Sequence, residues 1–194
     1  MYAFEPRVYD SVFEFIEPLV RSPDTDHPLG CHRQRVPARL IFRGLLYRLV
    51  TGNSWTMIEQ FLDGQVSDTT LRTRRDEWIA NGVFLQLVAH AMHAYQFTVG
   101  YDLNNVFIDG CNNDATASQG TGFNPKHPGK HGWKFVIAVD AAGAPLSMAI
   151  NSANRQDYPM MFDVLDDLKT RDKLRLIGTL HADRGFNYDE TPGR

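Results

Sequence analysis

The sequence predicts a protein of the α/β class, α+β overall, in which an all-helical N-terminal domain precedes a mixed β-sheet. Two observations predict this. Apolar residues recur at helical spacing in the first half of the chain, whereas after Gly100 they alternate with a period of two. The change falls at about 96–102, so we expect domains over 1–98 and 99–194. A chain of 194 residues is long enough for two small domains.

Five helices are expected in the first half. Proline, glycine and Asx-Gly pairs mark the breaks between them, since these residues end helices or favour turns. Thr56 and Glu59 have the spacing of a capping box. The stretch 56–80, a short helix, a tight turn and an arginine-bearing helix, has helix-turn-helix character. The expected helices are 8–20, 37–51, 56–62, 67–80 and 83–94, with a loop over 21–35.

The second half predicts strands. A strand over 103–108 is expected to end at Asp109-Gly110, and alternation over 133–139 and 146–150 predicts an antiparallel hairpin around 141–144. A helix over 161–168 and a strand over 174–180 follow, so the order is strand, loop, two strands, helix, strand.

Charge is distributed unevenly along the chain. The net charge of -3 argues against a wholly basic nucleic-acid-binding protein. Yet no acidic residue occurs between His27 and Ile58, a window that holds five arginines, Arg33, Arg35, Arg39, Arg43 and Arg48. Arginine binds phosphate and guanine edges in a bidentate manner. A basic DNA-binding face and an ordinary solvated helix face both fit this pattern.

Composition excludes several classes of protein. There is neither an apolar run long enough to span a membrane nor a signal-peptide pattern at the start, and two cysteines suit a reducing cytosol. The cysteines lack zinc-site spacing, and the Gly120-Gly122 pair lacks the helix that a dinucleotide site needs.

Two aspartates follow predicted strands. Asp109 and Asp183 come directly after apolar segments, and strand ends are where ligand groups gather in open sheets. Carboxylates brought together there suit Mg²⁺ or Mn²⁺. Ordinary turns would also place Asp at these positions. Asp140, which opens the turn 141–144, is interpreted as structural.

Four stretches together resemble one family. RLIFRGLLYRLVTGNSWTMIEQFL and SDTTLRTRRDEWIANGVF lie in the helical half, VFIDGCNNDA contains Asp109, and the hairpin segment 133–159 precedes LHADRGFNYDE. In order and spacing they resemble bacterial insertion-sequence transposases of the DDE type. Those proteins have a helical N-terminal domain followed by an RNase H-like catalytic domain.

The resemblance implies a function. Asp109 and Asp183 would be the first and second catalytic carboxylates, and both would ligate Mg²⁺ or Mn²⁺. The reaction would be cleavage of a DNA strand at the transposon end and its transfer to target DNA. The implied partner is double-stranded DNA, as terminal inverted repeats and target, together with a second copy of the chain, in the bacterial cytoplasm at the nucleoid. The expected DNA-binding residues are Thr69, Thr70, Arg72, Arg74, Arg75, Arg39, Arg43, Lys126 and Lys130.

One feature of the family lacks a counterpart. Its third carboxylate is a glutamate far downstream of the second aspartate, and Glu190 is too close to Asp183 to take that position. We therefore expect an incomplete RNase H-like sheet, exposed apolar surface around 174–180, oligomerisation or poor solubility, and no catalysis by this chain alone. A non-catalytic DNA-binding remnant that represses transposition is the alternative, and a nuclease that does not transpose is a third hypothesis.

Overall fold

The computed structural model describes residues 5–20 and 35–186, which form two compact units, Met1–Ala91 and Met92–Arg194. The α+β class is confirmed, with helices in the first unit and a mixed sheet in the second. The predicted loop over 21–35 lies almost wholly outside the described residues, as does Glu190. Among the described helices, none combines the length and apolar character needed to cross a membrane.

The five expected helices are all present. They are α1 (Pro6–Val20), α2 (Ala38–Thr51), α3 (Trp55–Phe61), α4 (Asp68–Ala80) and α5 (Val83–Thr98). Their apolar stripes meet in one core, in which Ile16, Ile41, Ile58 and Leu71 are fully buried and Trp78 is 1% exposed. The core also includes Val83 at the start of α5, so all five helices contribute to it.

Helix ends follow local chemistry, with one correction. Ser67 caps α4, since its Oγ accepts the Thr70 N–H at 3.2 Å, and Gly52 ends α2 with a φ of +68°. The predicted capping box of Thr56 and Glu59 is wrong. The cap is Ser54, which has extended backbone and accepts the Met57 N–H, while the Glu59 carboxylate accepts the Asp68 N–H at 3.0 Å.

In its described residues, the second unit contains a five-stranded sheet and one α-helix that lies wholly within it, besides the end of α5. The strands are β1 (Asn105–Ala115), β2 (Gly122–Phe123), β3 (His131–Val139), β4 (Pro145–Ser152) and β5 (Thr179–Ala182), and α6 (Asp157–Thr170) lies between β4 and β5. β3 pairs antiparallel with β1 and β4, which confirms the predicted hairpin, and β5 pairs parallel with β1. The predicted order of strands and helix is confirmed, with the short β2 inside the expected loop.

Two strand boundaries differ from the prediction. β1 does not end at Asp109 but continues to Ala115, because residues 107–115 pair along the whole of β3 and this pairing overrides the turn preference of Asp-Gly. The predicted start of the last strand at Leu174 is also wrong: Leu174–Leu176 form a 3₁₀ turn, and pairing begins only at Thr179. Leu174 and Ile177 instead pack against the core of this unit.

The two faces of the sheet differ in burial. Val106, Ile108 and Val136 face the core that α6 completes with Met160 and Val164, and all are 3% exposed or less. The opposite face exposes large apolar side chains, Phe107, Met148 and Ile150. Leu176 and Leu180 are also 60% and 37% exposed, as expected around 174–180.

Candidate functional site

Asp109 lies within β1, one residue beyond its parallel pairing with β5. Side chains alternate along a strand, so Asp109 shares the face of Phe107 rather than the buried face of Ile108. It is exposed, and its Oδ1 accepts the N–H of Gly110 at 2.7 Å. Because β1 is longer than predicted, Asp109 lies in the middle of the strand rather than at its end, and its carboxylate is still accessible.

Asp183 directly follows β5. Its carboxylate is exposed, and its Oδ1 accepts the N–H of Arg184 at 2.6 Å. Its backbone oxygen accepts the N–H of Phe186, which closes a 3₁₀ turn and sets the direction of the chain after the strand. The turn therefore places the exposed carboxylate of Asp183 at the C-terminal end of β5.

The sheet register brings the two aspartates side by side. Ile108 and Ala182 form the last pair that joins β1 to β5, and Asp109 and Asp183 each come directly after this pair in the chain. Adjacent strands lie about 4.8 Å apart, so the two positions are neighbours although 74 residues separate them in sequence. Phe107 and His181 lie two positions before Asp109 and Asp183, and their stacked ring centroids are 4.7 Å apart. These two residues therefore lie on one face of the sheet.

The pair fits a hard divalent cation in its donor chemistry. Both side chains offer carboxylate oxygens, and Mg²⁺ is commonly bound by one or two carboxylates with water completing the shell. Within 5–20 and 35–186, no group of three or more His, Cys, Asp or Glu residues is placed to hold a metal ion. The described site is therefore limited to two carboxylates.

A buried ion pair lies on the α6 face of the sheet, opposite the face that carries Asp109, and was not anticipated. Lys134, on the α6 side of β3, is 8% exposed, and its Nζ lies 2.9 Å from Oδ1 of Asp157 at the start of α6. A Cβ at Gly110 would lie 2.8 Å from that same carboxylate oxygen, so a larger residue after Asp109 would require Asp157 to shift. The sequence signal for this pair was the position of Lys134, two residues before the buried Val136 on a strand and therefore on the same face.

The lysine-containing loop is organised by one carboxylate. Asp114 accepts hydrogen bonds from Lys130 Nζ at 2.9 Å, His127 Nδ1 at 2.8 Å and Asn124 Nδ2 at 2.8 Å. The Lys130 and His127 contacts hold the pKa of Asp114 at about 2. Both Lys126 and Lys130 are exposed, and Lys130 is held in an ion pair within the loop.

The predicted DNA-binding residues of α4 separate by face. Thr69 and Arg72 are exposed, Thr70 is half-buried and shares a hydrogen bond with Ser67, and Arg75 is half-buried. Arg72 pairs with Asp68 at 3.0 Å and Arg75 with Asp76 at 2.7 Å, both at the surface. Thr69 and Arg72 form an exposed row on this helix that is accessible to a partner.

Arg74 lies on the opposite side of α4. Its side chain is 8% exposed, and Nη1 lies 2.8 Å from Oε2 of Glu77. The spacing of the helix explains this, since Leu71 and Trp78 flank Arg74 on the buried face. As placed, its guanidinium is in the core and not at the surface.

The two α2 arginines predicted for DNA binding contact aromatic rings. Arg39 pairs with Asp10 and lies over the ring of Phe13, with 5.2 Å from Cζ to the centroid. Arg43 lies over the ring of Phe61 at 5.3 Å. Both side chains therefore also contribute to packing within the helical unit.

A third arginine of α2, Arg48, meets two arginines of α4 at the ring of Trp55, the first residue of α3. Its Cζ is 4.5 Å from the Trp55 ring centroid, and those of Arg75 and Arg72 are 5.2 and 5.9 Å away. Trp55 is not among the residues that the sequence predicts for a site. Three arginines on the helices that flank a tryptophan were the available signal.

These features define an α+β protein with a helix-turn-helix-like pair in its first unit and two neighbouring exposed aspartates on the sheet of its second. A family model described as "Putative transposase of IS4/5 family" matches residues 8–88. This match covers less than half of the chain and supports the identification of the N-terminal region as that of an insertion-sequence transposase. No curated protein and no solved structure matches the chain.

The family match agrees with the resemblance predicted from sequence. Transposases are DNA-processing enzymes, and the match is confined to the helical unit. Because it ends at residue 88, it does not include Asp109 or Asp183.

Proposed function

We propose that the protein acts in DNA transposition, with the helical unit binding transposon ends and the sheet unit carrying the metal-dependent chemistry of a DDE transposase. The observation that carries the proposal is the register of β1 and β5, which makes Asp109 and Asp183 neighbours. The strand order and the position of α6 also suit an RNase H-like domain. The family match supports the DNA-processing class.

The two carboxylates have one role in this proposal. Asp109 and Asp183 would hold Mg²⁺ or Mn²⁺ through their exposed oxygens. When bound, such a metal stabilises negative charge on the attacking and leaving oxygens of a phosphodiester. Gly110 and Arg184 would hold the carboxylates in place through the backbone N–H bonds already present.

The reaction would proceed in two phosphoryl transfers. Water attacks the phosphorus at the transposon end, a P–O bond breaks, and the strand leaves with a free 3′-hydroxyl. That hydroxyl then attacks a target phosphodiester, forms a new P–O bond and displaces the target strand. The first step converts one phosphodiester into a 5′-phosphate and a 3′-hydroxyl. The second exchanges one phosphodiester for another and releases a 3′-hydroxyl on the target strand.

DNA recognition would use the exposed row of α4. Thr69 and Arg72 face solvent, and Arg75 lies at the edge of the same surface. In helix-turn-helix proteins the second helix enters the major groove. Arg39 and Arg43 of α2 and Lys126 and Lys130 of the sheet-unit loop would contact phosphates in the same complex.

A non-catalytic DNA-binding protein is the second candidate. The observation that favours it is the limit of two carboxylates in the described site. Such a protein would occupy inverted repeats and repress transposition. Its DNA binding would depend on α4 in the same way, and the two aspartates would have no metal to hold.

DNA binding by the full chain tests the first half of the proposal. Fluorescence anisotropy with a labelled 30-bp duplex is expected to show affinity that falls steeply with salt. Arg72→Ala should weaken binding by ~1–3 kcal/mol if the side chain reads a base. Asp109→Asn and Asp183→Asn should bind as the wild type does. Absence of binding by the wild type, or an Arg72→Ala variant that binds equally well, would contradict the assignment of α4.

A further inference from the structure

Three guanidinium groups converge on one indole ring. Arg48 from α2 and Arg72 and Arg75 from α4 all lie within 6 Å of the Trp55 ring centroid. Trp55 is the first residue of α3, so the ring stands where three helices meet. We call Trp55 with these arginines the tryptophan cradle.

The charges in the cradle are not neutralised in equal measure. Arg72 and Arg75 have surface carboxylate partners, Asp68 and Asp76. Arg48 instead donates to the backbone oxygens of Gly52 and Asn53. Its described hydrogen bonds therefore leave its positive charge without a carboxylate.

Gathering like charges costs free energy unless an anion offsets it. Guanidinium groups over an indole face gain cation–π attraction, but they also repel one another. The carboxylate partners of Arg72 and Arg75 lie at the surface, where ion pairs contribute little, so a phosphate could replace them at small cost. This arrangement suits a polyanion better than it suits the isolated protein.

We propose that the tryptophan cradle is a phosphate-binding site for the DNA backbone, in which Trp55 positions the three arginines and Arg48 makes a contact that sequence reasoning did not assign. The inference rests on the proposed DNA-binding function. It adds Arg48, in the last turn of α2, to the residues proposed to contact DNA. Trp55 acts through the arginines, so it is a positioning residue.

Holding the arginines in place has a thermodynamic consequence. A free arginine loses side-chain entropy when it binds a phosphate, whereas one already stacked on a ring loses less. Removing the ring should therefore weaken DNA binding although the net charge of the protein does not change. This effect separates positioning from simple electrostatic attraction.

The experiment compares four full-chain variants with the same labelled 30-bp duplex across a range of salt. Arg48→Gln removes one proposed phosphate contact and should lower affinity, with a salt slope reduced by about 0.9. Trp55→Leu should lower affinity several-fold at unchanged net charge, and Trp55→Phe, which keeps an aromatic face, should recover part of the loss. Arg7→Gln on α1 is the matched control, because it removes the same charge away from the cradle.

Stability must be measured beside binding. Thermal unfolding of each variant identifies a loss of affinity that comes only from a misfolded unit, and Trp55→Phe provides the conservative comparison. If the proposal holds, Arg48→Gln changes the salt slope and Arg7→Gln does not. Wild-type binding with Trp55→Leu and Arg48→Gln both equal to wild type would overturn the cradle while leaving the proposed function intact. Failure of the wild type to bind DNA would instead overturn the proposed function on which the cradle rests.

Discussion

The helical unit and the sheet unit depend on different kinds of interaction. The helices pack around one apolar core whose members Ile58, Leu71 and Trp78 are buried to 1% exposure or less. The sheet has α6 on one face, while Phe107, Met148 and Ile150 are 44–53% exposed on the other. Stability is therefore expected to be concentrated in apolar packing in the first unit. In the second unit, strand pairing and polar contacts carry more of it.

The largest effect is expected in the core of the helical unit. Trp78→Ala should lower the free energy of unfolding by ~3–5 kcal/mol, because the cavity adds to the lost apolar burial. Leu85→Ala on α5, whose native side chain is 78% exposed, is the control and should change it by less than about 0.5 kcal/mol. Urea denaturation followed by helical circular dichroism measures both. Similar losses in the two variants would contradict the assignment of Trp78 to the core.

A smaller effect is expected at the buried ion pair of the sheet unit. Lys134→Met should lower stability by ~1–3 kcal/mol, because it leaves the carboxylate of Asp157 without its buried ammonium partner. Asp157 is partly exposed, which limits the loss. Lys169→Met, on the exposed side of α6, should be near neutral. Thermal unfolding compares the two, and equal stability would mean that the pair does not hold this region together.

Gly44 tests how tightly the helical unit is packed. A Cβ there would lie 2.8 Å from Leu71 Cδ2 and 3.0 Å from Leu62 Cδ1. Crowding costs ~1–3 kcal/mol, and alanine returns about 1 kcal/mol of helix propensity. Gly44→Ala should therefore be destabilising by about 1 kcal/mol in urea denaturation. A stabilised variant would show that the two leucines move aside freely.

The smallest expected effect is a pH dependence in the loop of the sheet unit. Lys130 first, and then His127, lower the pKa of Asp114 from its usual 3.8 to about 2. The ionised form is therefore favoured by folding, so its stabilisation is complete above pH 3.8 and is lost as the pH falls through 2. Asp114→Asn should remove this part of the acid dependence of thermal unfolding, and Asp166→Asn should not. An unchanged acid profile in Asp114→Asn would contradict the hydrogen-bond assignment.

Sequence predicted the helical unit more completely than the sheet unit for a physical reason. Helix breaks at Gly52 and Gly82 depend on local backbone preferences, and both were placed correctly. The end of β1 depends on pairing with β3, which is distant in sequence, and there the local signal of Asp109-Gly110 failed. The short 3₁₀ turn at Leu174–Leu176 likewise depends on packing against the core rather than on its own residues.

The candidate sites show the same division. Sequence predicted Asp109 and Asp183 at strand ends. Asp109 lies within β1 instead, and the register of β1 and β5 makes the two positions neighbours. Helical spacing from Leu71 and Trp78 places Arg74 on the buried face of α4, and the expected set of DNA-binding residues did not take this spacing into account. The convergence of Arg48, Arg72 and Arg75 on Trp55 depends on three helices and was beyond reach of any local pattern.

The most direct test of the central claim is Mn²⁺ binding to the full chain, followed by paramagnetic broadening of amide resonances. We expect saturable broadening that is confined to residues around Asp109 and Asp183. It should be lost in Asp109→Asn and Asp183→Asn and retained in Asp166→Asn. Broadening spread over exposed acidic residues such as Asp166, or unchanged by either substitution at the pair, would contradict a metal site at these two strands.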